Sequence, residues 1–145
     1  MILVDSNVLI DVLTDDPAWE PWSAEQLARL GNTRQLAINP LIFAEVSVAY
    51  TDEAQVSAAL PSGLVRLPLP YSAAFLAGRA FLEYRRRGGS RRSPLPDFYI
   101  GAHAAAEGHT VLTRDATRYR TYFPDVAVIA PHESGEMVTT SGVRD

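Results

Sequence analysis

The chain contains no cysteine and no lysine. The first absence rules out a disulfide framework, thiolate metal sites and a cysteine nucleophile. It suits a reducing compartment, and a cytoplasmic location is the expectation. The second means that no ammonium group can neutralise a buried carboxylate, because all thirteen basic side chains are arginine. Long apolar runs are also missing, so no segment is expected to span a bilayer. The opening Ile2-Leu3-Val4 has neither a basic lead-in nor a small-residue cleavage site, and no signal peptide is expected. No glycine-rich fingerprint follows that first run, which argues against a dinucleotide site. A net charge of -4 has the wrong sign for binding nucleic acid by bulk charge alone.

What is present fits one domain: 145 residues can bury a core without staples. Apolar runs predict buried strands at 2–4, 36–38, 64–67, 110–112 and 126–129. Helical patterns lie between them, over 6–13, 19–30, 39–50, 52–60, 71–87 and 96–108. Asn39-Pro40 is a strong start signal, with asparagine as cap and proline in the first turn. Strands alternating with helices predict a parallel sheet covered on both faces. Residues 1–131 form the expected domain, and the polar stretch 132–145 is expected to be a flexible tail.

Four acids break this pattern. Asp5 ends the first strand and opens the first helix, and ligands of open parallel sheets bind at strand carboxyl ends. Glu45 sits on a helical wheel between Leu41 and Val48 on one side and Ile42 and Ala49 on the other. An acid inside an apolar arc violates binary patterning, and such violations mark functional or strained sites. Asp97 follows Pro94-Leu95-Pro96 and lies in a first helical turn, where the dipole favours negative charge. Asp115 closes Thr113-Arg114-Asp115 after a strand. Each has an ordinary reading: a cap, a core glutamate paired to an arginine, a dipole acid, a turn acid. Their joint placement is the evidence, with two at strand ends and two on helices able to pack there. Buried charge is costly unless paired, protonated or metal-bound, and clustered carboxylates titrate as a coupled set. Magnesium or manganese, which prefer carboxylate and water oxygens, would resolve the repulsion.

Asp5-Ser6-Asn7, Glu45, Asp97 within Pro96-Asp97-Phe98-Tyr99-Ile100, and Thr113-Arg114-Asp115 together resemble the PIN-domain nucleases, particularly the VapC-type ribonuclease toxins of bacterial toxin–antitoxin pairs. The resemblance reaches to about Pro131. It implies a PIN-like three-layer α/β/α sandwich around a small central parallel sheet, and magnesium- or manganese-dependent endoribonuclease activity. Asp5, Glu45, Asp97 and Asp115 would be the catalytic quartet, with Asp5, Asp97 and Asp115 as metal ligands and Glu45 holding or deprotonating a metal-bound water. Asn7 and Thr113 would be supporting polar groups. The implied partners are an RNA substrate, a second copy of the chain and a cognate antitoxin. One departure is visible: some relatives carry a further acid soon after the last aspartate, where this chain has Ala116, Thr117 and Arg118. Occupancy by a second metal is therefore left open.

Arg85, Arg86, Arg87, Arg91 and Arg92 form a basic strip. It reads either as solvated charge at a helix C-terminus or as a phosphate track for RNA. His103, His109 and His132 lack metal-ligand spacing and read as structural or surface residues, while Trp19 and Trp22 read as core or as anchors for a partner. Two other functions compete. An aspartyl-phosphate phosphatase would use Asp5 as nucleophile but wants a second acid where Asn7 stands. A catalytically silent PIN-like protein- or RNA-binding module would have no need of Glu45 in its apolar arc.

Overall fold

Three-residue apolar runs build the sheet. In the computed structural model, which describes residues 1–92, 95–131 and, by backbone alone, 137–140, β1 is Ile2–Val4, β2 Leu36–Ile38, β3 Val65–Arg66, β4 Thr110–Leu112 and β5 Val128–Pro131. These five pair in parallel in the order β3-β2-β1-β4-β5, and β6 (Met137–Thr140) joins β5 antiparallel at the edge. Ile2, Leu3 and Val4 are fully buried, as expected of strands covered on both faces, which read as continuous apolar runs. Of the stretch 132–145, expected from its composition to be a tail, 132–136 and 141–145 lie outside the described residues.

The helices follow the sequence signals. They are α1 (Ser6–Leu13), α2 (Glu20–Gly31), α3 (Pro40–Ser47), α4 (Glu53–Ala59), α5 (Tyr71–Arg86), α6 (Pro96–Glu107) and α7 (Thr117–Tyr122). Asn39 caps α3 by accepting the Ile42 N–H at 3.0 Å, and Asp52 caps α4 by accepting that of Gln55. Gly108 ends α6 with φ +72°, a left-handed conformation that glycine adopts without penalty. The connections through α1–α4 step one way along the sheet, and those through α5–α7 step back the other way. Right-handed crossovers then place the two groups on opposite faces, giving helices, sheet, helices.

Two differences from expectation have simple causes. α7 has no counterpart among the helices predicted from sequence, because Thr117-Arg118-Tyr119-Arg120-Thr121-Tyr122 has no apolar period. It forms on tertiary contacts: Tyr119 is buried and Tyr122 joins an aromatic cluster with Phe98 and Tyr84. α3 ends at Ser47 rather than near Tyr50, and Val48 is 86% exposed. The apolar arc around Glu45 is therefore narrower than the wheel implied, with Ile42 and Val46 as its buried members. One small residue on α6 has a visible purpose. A Cβ at Gly101 would stand 2.4 Å from the Phe123 ring, so only glycine allows α6 and the chain after α7 to meet this closely.

The strand order reverses at β1. Successive strands run outward through β2 and β3 on one side, then resume at β4 on the other. Crevices at such a switch point, beyond the strand carboxyl ends, are where open α/β sheets bind ligands. Asp5 and Thr113 are the first residues past β1 and β4 there.

Candidate active site

Register brings the first two groups together. Val4 pairs with Leu112, so the next residues, Asp5 and Thr113, stand side by side. The Asp5 N–H donates to the Leu112 carbonyl at 2.9 Å, and the Thr113 hydroxyl donates to Asp5 Oδ2 at 2.9 Å. Tyr119 of α7 donates its hydroxyl to the same oxygen at 2.8 Å. Asp5 occupies the cap position of α1 but makes no side-chain cap bond. It is only 7% exposed. Burial pushes its carboxyl above the ordinary range. The hydroxyls of Tyr119 and Thr113 pull it back, and the negative charge of Asp97 adds to the rise.

Glu45 arrives on α3 and accepts the Ser6 hydroxyl at 2.8 Å. It makes no ion pair with any described arginine, which sets aside the reading of a core glutamate held by a guanidinium. Half-burial raises its pKa, Ser6 opposes the rise, and Asp5 and Asp97 reinforce it. Asp97 opens α6. Burial raises it as well, against the lowering effect of Arg118, whose Nη1 lies 3.6 Å from Asp97 Oδ2. Its other oxygen, Oδ1, is buried with no hydrogen-bond partner among the described residues. Asp115 accepts the Thr117 N–H at 3.1 Å through Oδ1, so it also shapes the turn into α7. Its N–H donates to Thr113 Oγ1.

All four acids line one cavity of about 310 Å³, together with Ser6, Asn7 and Arg118. Among the described residues, Arg118–Asp97 is the one ion pair made by any of the four. Asn7 spends its amide on structure: Nδ2 donates to Thr113 Oγ1 and Oδ1 accepts the Arg114 N–H. This locks α1 to the loop after β4. An asparagine so engaged is no second acid for phosphoenzyme chemistry, and the phosphatase reading loses its support.

The donor set fits a hard divalent cation. Three carboxylates with raised pKa values face one cavity, one of them with an orphaned buried oxygen. No three of the acids bring oxygens within 4.8 Å of one another. A single cation there would therefore take at most two of these carboxylates directly and complete its shell with water.

The family model described as PIN domain matches residues 2–124. The chain belongs to the PIN domain family. No curated protein matches it in sequence. Among solved structures, a chain of VapBC2 from Rickettsia felis, bound to a DNA fragment from its promoter, superposes with TM-score 0.68 at 20% identity, over 90% of this chain and 98% of that one. DNA-bound VapBC from Salmonella typhimurium gives TM-score 0.65 at 20% identity, over 89% and 96%. The Mycobacterium tuberculosis toxin VapC20, described as cleaving the sarcin–ricin loop, gives 0.58 at 14% identity, over 83% and 95%. The matches establish the PIN fold, a central parallel sheet flanked by helices. Among the described residues, no helix of this PIN domain is long and apolar enough to cross a membrane.

Several residues of this PIN domain escape a reading of the sequence. Tyr119 and Arg118 approach the acids from neighbouring positions on α7, and no periodicity marks that helix. Asp11 is 1% exposed and takes both a two-pronged ion pair from Arg114, at 2.8 and 2.9 Å, and the Ser23 hydroxyl at 2.9 Å. Arg114 also lies over the Trp19 ring. The placement of Asp11 on the inner face of α1 is the one signal the sequence offers.

The histidines also hold a surprise. His103, Glu107 and His109 offer three ligand atoms within 4.8 Å, because the left-handed turn at Gly108 folds His109 back. Hydrogen bonding nevertheless fixes the His103 tautomer. Asn39 Oδ1 must face the Ile42 N–H, so Asn39 Nδ2 donates to His103 Nδ1 at 3.1 Å. The ring proton then sits on Nε2 and is donated to Glu107 at 3.0 Å. A metal at Nε2 would have to displace that proton and leave an anionic ring, so His103 and Glu107 form a hydrogen-bonded brace, with His109 Nε2 standing 3.5 Å from Glu107. The five strip arginines are exposed. Arg87 pairs with Glu83 and overlies Tyr122, Arg85 donates to the Arg91 carbonyl, and Arg91 borders the acidic cavity.

Proposed function

We propose that this PIN domain is a metal-dependent endoribonuclease and the toxin of a toxin–antitoxin pair, with Asp5, Glu45, Asp97 and Asp115 as its catalytic quartet. The observation that carries the reading is the single cavity lined by all four acids, where burial raises the pKa of three of them and Asp97 Oδ1 has no hydrogen-bond partner among the described residues. Asp5 and Asp97 would hold magnesium or manganese, with Asp115 directly or through water. The bound cation supplies a Lewis acid and lowers the pKa of water. Glu45, oriented by Ser6, would hold the attacking water and accept its proton. Thr113 and Tyr119 fix the Asp5 carboxylate so that its lone pairs present one geometry. Asn7 fixes Thr113.

RNA fits the surface as well as the chemistry. Arg91 at the cavity rim and exposed Arg86 and Arg92 extend the site as a phosphate track, while Arg85 and Arg87 are partly engaged within the fold. The similarity to VapBC chains supports an antitoxin as partner, and exposed Tyr71, Phe75 and Leu82 on α5 give a partner or a second copy apolar surface to cover.

The test is incubation of the purified chain with labelled total RNA, with and without magnesium or manganese, beside Asp5→Asn. Discrete metal-dependent fragments that disappear in a folded Asp5→Asn variant are expected. Absence of both cleavage and metal binding would favour a silent binding module.

A further inference from the structure

Arg118 brings a positive charge into the acidic cavity, and the metal-nuclease reading of the quartet does not account for it. Its guanidinium carbon lies 5.4 Å from the Tyr84 ring centroid and 5.7 Å from that of Phe98, so two aromatic faces fix where the charge sits. Nη1 is 3.6 Å from Asp97 Oδ2, an ion-pair distance beyond a hydrogen bond. Among the described residues Arg118 closes no hydrogen bond within 3.5 Å, its one polar contact being the long approach to Asp97, and its side chain is 38% exposed and lines the cavity. A guanidinium carries five N–H donors in a planar fork that matches phosphate oxygens. Here the fork is held in place and, among the described residues, is engaged only by the long contact to Asp97.

A structural counter-ion would be expected to close a short, two-pronged bond on its carboxylate, as Arg114 does on Asp11 at 2.8 and 2.9 Å. Arg118 stands off instead. We propose that Arg118 is a substrate-binding residue that takes a non-bridging oxygen of the scissile phosphodiester beside Asp97. The assignment rests on the metal-nuclease reading. A cation held by Asp97 would weaken the Arg118–Asp97 pair by like charge and leave the fork free for the phosphate; Arg118 would then share the neutralisation of the phosphoryl charge. The position that lacks a further acid in this chain thus acts on the substrate rather than on a second metal.

The test separates metal from phosphate. Manganese binding is measured by the spin-resonance signal of the free ion for wild type, Arg118→Ala and Arg118→Lys. Binding of inorganic phosphate to each manganese-loaded protein follows by calorimetry, then manganese-dependent hydrolysis of bis(p-nitrophenyl) phosphate. In Arg118→Ala, manganese binds as tightly as in wild type or more tightly, because a competing cation is gone. Phosphate affinity falls roughly ten- to hundredfold, the worth of a charge-assisted hydrogen bond, and kcat/KM falls with it. Arg118→Lys restores charge without the fork and recovers only part of the loss. Unchanged phosphate affinity in a manganese-loaded Arg118→Ala protein overturns the inference alone. Failure of the wild type to bind manganese overturns the metal-nuclease reading and the inference with it.

Discussion

Asp5 Oδ2 receives two hydroxyls, from Thr113 and Tyr119, inside a pocket that otherwise disfavours charge. Those bonds oppose the rise that burial causes and favour the ionised form that a metal ligand needs. Tyr119→Phe removes one with almost no change in shape. The Asp5 carboxyl then rises further, and because only the ionised form binds a cation, the pH at which half the sites load should move upward. Manganese affinity at neutral pH should fall about 10- to 100-fold, as for other groups that orient metal ligands. Titration of manganese binding against pH for both proteins checks this, and an unmoved midpoint would show that Tyr119 only packs. None of this is legible in the sequence: a tyrosine in a run of alternating arginines gives no sign that it points inward at an acid 114 positions earlier.

At the scale of elements, Asn39 does two jobs. It caps α3, the helix of Glu45, and it donates to His103 of α6, the helix of Asp97. The chain from the Ile42 N–H through Asn39 and His103 to Glu107 therefore fixes two carboxylate-bearing helices relative to one another. Asn39→Ala loses a cap and strands a buried ring nitrogen, a combined cost of about 2–4 kcal/mol, measurable by chemical denaturation. Its cap role is legible from Asn39-Pro40, and so are the five parallel strands and six of the helices, because each rests on a local signal: an apolar run, a cap, a proline, a terminal glycine. The link to His103 is not, since nothing local ties residue 39 to residue 103. The end of α3 is also misplaced by its sequence. Val48, Ala49 and Tyr50 continue its apolar character, yet the chain leaves the helix before them.

Across the whole molecule, the quartet should cost stability whenever it is empty. Asp5, Glu45 and Asp97 have folded pKa values above their ordinary values of 3.8, 4.5 and 3.8. Above those ordinary values the unfolded chain has released protons that the fold still holds, so stability declines as pH rises through the raised folded pKa values. His109 is shifted down by burial and contributes in the opposite sense, losing stability as pH falls below 6.5. Comparing metal-free wild type with Asp5→Asn cancels that contribution. The variant should melt higher, by a margin that widens with pH, and manganese should raise the Tm of wild type alone. RNA affinity gives a second global readout. It should fall steeply with salt, and replacing Arg86, Arg91 and Arg92 by alanine should flatten the log–log slope by about 0.7 for each phosphate no longer neutralised. A slope of zero in wild type would remove the arginine track. The register of β1 against β4 has one more consequence. Asp5 precedes its neighbours Thr113 and Tyr119 by 108 and 114 residues. During synthesis the cavity has no walls on that side until the ribosome has released nearly the whole domain. On the nuclease reading proposed above, a prematurely ended chain lacks the two hydroxyls that fix the Asp5 carboxylate and so lacks a complete site.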